Sequence, residues 1–174
     1  MENQRFYYDN KIVRLFILAT LVWGIVGVIV GVLIALQLAM PVFNLGLEFT
    51  TFGRMRPLHT NAIIFAFVGN AIYAGVYYSM QKLLKTRMFN DTLSQVNFWG
   101  WQLIIVLAAL SFVFGITTGK EYAELEWPID ILITLVWVAF GANMIGTIIV
   151  RRVQHIYAAI WWYLATFLGV AILH

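Results

Sequence analysis

The chain has no cysteine among its 174 residues. That excludes disulfides, thiolate metal sites and cysteine nucleophiles. Charge is scarce as well, at 11% of residues, and proline occurs three times. Low charge together with 62% hydrophobic residues and a mean hydropathy of +0.85 excludes a soluble domain of this size. Much of any globular surface must meet water, and too few polar residues are present to cover it. The expected solvent is the lipid bilayer. The formal net charge is only +3, and the basic residues sit in small clusters between apolar runs. Without an interleaved basic surface, nucleic acid is not an expected partner. Nothing resembles a nucleophile–base pair, a phosphate loop or a hydrolytic carboxylate dyad, so no residue is assigned as catalytic.

What the chain does have is long apolar runs. Leu15 to Leu38 carries no charge and, at about 1.5 Å per residue, is long enough to cross about 30 Å of hydrocarbon. It is too long for a signal-peptide core and no small-residue cleavage site follows, which predicts a retained helix. Four similar runs come after it. The expected fold is all-α: one transmembrane domain over 1–174, a polytopic helix bundle with spans at about 13–38, 57–81, 96–116, 128–150 and 155–174. Pro57 and Pro128 each suit a first helical turn, where the missing N–H has no partner to lose. Gly24, Gly27 and Gly31 line one side of the first span, and Gly27-x-x-x-Gly31 permits close approach of a neighbour. The last run is still apolar at Leu173, with no polar flank. It reaches roughly membrane-spanning length, yet the expectation is that the chain is a portion of a longer one.

Orientation follows from the basic residues. With the N-terminus in the cytoplasm, Arg5, Lys11, Arg14, Lys82, Lys85, Arg87, Arg151 and Arg152 lie inside, and Arg54, Arg56 and Lys120 outside. That asymmetry obeys the positive-inside rule. Five of the eight acids fall outside: Glu48, Glu121, Glu124, Glu126 and Asp130.

The stretch Arg54-Met-Arg-Pro-Leu-His59-Thr-Asn61 joins an outer loop to the second span. A histidine one turn inside a membrane helix is costly and needs a partner. Its plainest role is a hydrogen bond to a carbonyl or headgroup at the interface. At 100° per residue, however, Ile63, Ala66, Asn70, Tyr73 and Tyr77 share its face. A small residue and an amide then lie beneath His59, flanked by Ala62 and Gly69, leaving a slot for something flat. That face is compatible with a porphyrin whose iron an imidazole holds, although small residues also serve plain helix packing. Arg56 and Arg54 can snorkel to headgroups or meet haem propionates through a guanidinium fork. The loop Lys120-Glu-Tyr-Ala-Glu-Leu-Glu-Trp127 can be merely solvated. Beside propionates, its carboxylates would need protons or a hard cation such as calcium between them. His155 lies at the inner side and cannot pair with His59, whereas His174 ends level with it and can complete a bis-histidine site on geometry alone. Gln102 and Asn143 within the membrane are either interhelical glue or the lining of a polar path.

Four segments resemble one family: Arg54-Met-Arg-Pro-Leu-His59-Thr-Asn, Phe98-Trp-Gly-Trp-Gln102, Lys120-Glu-Tyr-Ala-Glu-Leu-Glu-Trp-Pro128 and His155-Ile-Tyr. In order and spacing they are similar to the catalytic subunit, subunit I, of the cbb3-type cytochrome c oxidases, the C-family haem-copper oxidases. The likeness spans essentially the whole chain, and the acidic loop is its most specific part. It implies the first five helices of a larger bundle carrying low-spin haem b, high-spin haem b and copper. It implies an enzyme that reduces oxygen with electrons from a c-type cytochrome and pumps protons, in a bacterial inner membrane. Residue by residue, it makes His59 an axial ligand of the low-spin haem b and Arg56 a propionate partner. Glu121 matches a calcium ligand and Glu124 a second acid of that region. The second axial histidine, the high-spin haem ligand and the copper histidines belong to later helices, so His174 is not the second ligand and the chain alone is inactive. Partners are then the remaining helices of subunit I, the c-type cytochrome subunits and the lipid bilayer. Two other readings are a nitric oxide reductase relative, against which the acidic loop speaks, and a non-catalytic five-helix haem carrier or assembly protein using His59 and His174.

Overall fold

A computed structural model describes residues 7–120 and 123–173. Among them are five α-helices: α1 (Asn10–Ala39), α2 (Phe52–Leu84), α3 (Asp91–Phe114), α4 (Trp127–Ile149) and α5 (Ala158–Leu173). Two short 3-10 turns, Pro41–Asn44 and Glu48–Thr50, link α1 to α2. The fold is all-α, and the first four helices are long and apolar enough to cross a membrane.

Each boundary has a local cause. Asp9 caps α1 by accepting the Ile12 N–H, and Asn90 caps α3 by accepting the Leu93 N–H at 3.0 Å. A side-chain oxygen in this position satisfies one of the orphan donors of the first turn. The Asn90 cap starts α3 at Asp91, ahead of the expected 96, because the polar residues that read as loop are its first turn. α2 likewise starts at Phe52 and not at Pro57. The Asn44 side chain accepts the Phe52 N–H at 3.2 Å, and the Arg54 and Met55 N–H groups both bond to Thr51 O. Pro57 therefore lies inside the helix, where it costs the bond to the Gly53 carbonyl, close to the solvent-exposed end. α5 begins at Ala158, later than the expected 155. The preceding turn is held across the bundle by a bond from Arg152 N to Leu84 O at 3.0 Å. α5 is helical up to Leu173, the last of the described residues.

The loops segregate to two ends. At one, Arg87 forms a bidentate pair with Asp91, at 3.0 and 2.7 Å, and that carboxylate's hydrogen bonds hold the guanidinium pKa above its ordinary value. The Asp9 N–H donates to Gln81 Oε1 at the same end. At the other, Arg54 pairs with Glu48 and donates to Val113 O at 2.8 Å, tying the start of α2 to the end of α3. That leaves Arg54 a structural clamp. Gly115, at φ 72°, ends α3 beneath the same guanidinium.

The core sits in the half of the bundle nearer the Arg87 end. Phe16 of α1 stacks on Tyr73 at 5.2 Å and meets Phe98 edge-on at 5.0 Å. Tyr73 in turn touches Trp101 and Phe140. Two cross-helix polar strings pin it. The Trp23 indole donates to Gln102 Oε1 and the Gln102 amide to Asn70 Oδ1, both at 2.8 Å. Asn143 donates to Ser94 Oγ and accepts the Asn90 N–H, both at 2.9 Å. Gln102 and Asn143 thus act as interhelical glue, each amide paired across helices.

Candidate haem-ligand site

α2 is not a uniform α-helix. Over Ala62–Val68 its ladder switches to π geometry, an i→i+5 pattern that turns less per residue and is frequent at functional sites. The switch starts three residues after His59. It overturns the expected face: positions projected at 100° per residue no longer line up beneath the imidazole. Ala66, Asn70, Tyr73 and Tyr77 are buried in the core, and the room beside Gly69 is filled by the Trp101 ring, 3.2 Å from where a Cβ would stand. Ala62 is buried against Gly27. Among the described residues, Ala62, Ala66 and Gly69 are all taken up by packing within the bundle.

His59 instead faces α1. Its Nδ1 lies 2.9 Å from the Gly27 carbonyl oxygen, and its ring rests on Gly31, where a Cβ would stand 2.6 Å from Cε1. Ile63 and Phe67, one and two turns on, meet Gly27 and Gly24 in the same way. The glycine line on α1 and the histidine on α2, separate signals in the sequence, form one contact. Nothing in the sequence joined them, since pairing two helices is a tertiary fact. A carbonyl can only accept, so the Nδ1 contact fixes the proton on Nδ1 and leaves the lone pair on Nε2. That tautomer suits iron: metal-ligating histidines commonly donate their other ring N–H to a carbonyl, which sets ring orientation. The donor set therefore fits one axial position of a haem.

Arg56 is exposed on α2, three residues before His59. Glu124 reaches the same end of the helix, with its Oε2 accepting the Asn61 amide at 3.3 Å and its carbonyl accepting the Thr118 N–H at 2.8 Å. This places the half-buried Glu124 two residues beyond His59 in reach of α2. Glu121 and His174 lie outside the described residues. Among the described residues no three histidines or acids converge on a metal-sized site. His155 is exposed in the turn at the opposite end of the helices.

The helices and the half-buried histidine define a multi-pass membrane protein with a candidate cofactor ligand near one surface. Residues 11–174 match the family described as cytochrome c and quinol oxidase polypeptide I, and the chain belongs to that family. It is 56% identical over 167 residues to the cbb3-type cytochrome c oxidase subunit CcoN1 of Stutzerimonas stutzeri, covering 96% of this chain and 35% of that protein. It is 50% identical over 171 residues to cytochrome c oxidase subunit 1 of Rhodobacter capsulatus, covering 97% and 32%. To the subunit 1 homolog of Agrobacterium tumefaciens strain T37 it is 47% identical over 171 residues, covering 98% and 32%. The chain spans about a third of the length of these relatives. It is thus homologous to a portion of the catalytic subunit of a cytochrome c oxidase, of cbb3 type.

Proposed function

We propose that this chain is one transmembrane portion of the catalytic subunit of a terminal respiratory oxidase and that His59 is an axial ligand of its low-spin haem b. The supporting observation is the His59 Nδ1 contact with the Gly27 carbonyl at 2.9 Å, which puts the proton on Nδ1 and the lone pair on Nε2. When bound, the haem supplies reversible one-electron chemistry that side chains lack. The chain's own residues hold the imidazole: Gly31 admits the ring and the Gly27 carbonyl fixes its proton. Arg56, one turn out, offers a guanidinium to propionates. Glu124 with Glu121 is the proposed calcium shell of the outer loop, and calcium content that is unchanged in a Glu121→Gln oxidase would remove that part.

The rest of the reading needs the rest of the subunit. High-spin haem b, copper and the second axial ligand belong to later helices, as do cytochrome c oxidation, oxygen reduction and proton pumping. The chain alone is inactive. Its partners are those helices and c-type cytochrome subunits, in a bacterial inner membrane with the N-terminus cytoplasmic, an orientation supported by the basic-residue asymmetry. In the full-length oxidase, His59→Ala should abolish the low-spin haem b absorbance while the c-type haems persist. An unchanged low-spin spectrum would refute the assignment.

A further inference from the structure

In the core, four polar side chains end on atoms with no protein partner: both amide atoms of Asn97, the Tyr73 and Tyr77 hydroxyls, and the Trp101 Nε1. Asn97 and Tyr77 are 0% exposed and Tyr73 4%. Asn97 and Trp101 are one turn apart on α3, and Tyr73 and Tyr77 one turn apart on the facing stretch of α2. The Tyr73 hydroxyl faces the Asn97 amide, and the Tyr77 hydroxyl faces Asn143 and Ser94. Neither hydroxyl meets the geometry of a direct hydrogen bond. The polar side chains around them are already committed, Asn143 to Ser94 and Asn90, and Asn70 to Gln102 and the Ala66 carbonyl. Buried polar groups are seldom left unpaired, and ordered water is a common partner where protein offers none.

We propose that Asn97, Tyr73, Tyr77 and Trp101 bind internal water between α2 and α3. The donor and acceptor balance selects water. The group offers amide, hydroxyl and indole donors together with amide and hydroxyl acceptors, and a single ligand must complement both kinds. A cation would find no carboxylate among these side chains, and an anion would find no positive charge. No further helix can serve in its place, because these side chains are already buried within this portion of the bundle.

The test is a map of the full-length oxidase that resolves ordered solvent. The expected result is a peak within hydrogen-bonding distance of the Asn97 amide and of at least one tyrosine hydroxyl. Direct pairing of these atoms with one another and no peak between them would overturn the proposal. Asn97→Leu in the same oxidase supplies a second readout. It should abolish the peak and lower the thermal midpoint, because the tyrosine hydroxyls then lose their partner. A raised midpoint would mean that the wild-type site is dry, and would overturn the proposal equally.

Discussion

The two ends of α2 are built on opposite terms. Toward Leu84 the helix is walled in: Tyr73, Tyr77, Met80, Gln81 and Leu84 are all buried, and amides pin it to the start of α1 and to α3. Toward His59 it is half-exposed, with its geometry loosened into a π segment and its histidine held by a single backbone carbonyl. One end has the features of a scaffold, dense and buried. The other keeps a side chain oriented while leaving one nitrogen uncommitted, as a ligand position requires.

Substitutions can break this contrast in either direction. The largest effect is expected from Gly31→Leu. A Cβ alone would stand 2.6 Å from His59 Cε1, so a leucine must evict the ring. In the full oxidase the low-spin haem signal should be lost while the c-type haem content is kept, as read by difference spectroscopy. Asn143→Leu removes the acceptor of Asn90 N and the donor to Ser94. It should cost about 1–3 kcal/mol of stability and leave the low-spin spectrum unchanged, measured by thermal melting alongside the spectrum. Gly141→Ala drives a Cβ into the Phe167 ring where α4 meets α5. Overpacking of this kind costs about 1–3 kcal/mol, with the bound haem again unaffected. The smallest effect belongs to Arg87→Ala, which deletes an exposed i,i+4 pair with Asp91, a contribution of roughly 0.3–0.5 kcal/mol. A spectral change in either of the two core variants would erase the distinction between the ends.

Much of the architecture was legible because length and apolar content decide it. A charge-free run such as Leu15 to Leu38 admits one reading in a bilayer. Helix starts were misplaced where a polar side chain caps from outside the apolar run, as Asn90 and Asn44 do. At the candidate site, His59 and the Gly24–Gly27–Gly31 line were visible separately. Their contact was not, nor was the packing of the small residues into the core, because a helical projection assumes uniform turn and the Ala62–Val68 segment departs from it. The Arg54 clamp was equally hidden, since its acceptor, the Val113 carbonyl, lies 59 residues away.

The central claim is that the His59 imidazole binds haem iron. The most direct measurement is magnetic circular dichroism of a full-length His59→Gly oxidase titrated with free imidazole. The account predicts that the low-spin haem b signal disappears in the variant and returns as imidazole fills the space left by the side chain. A low-spin signal that persists without imidazole, or one that imidazole leaves absent in a fully assembled complex, would contradict it.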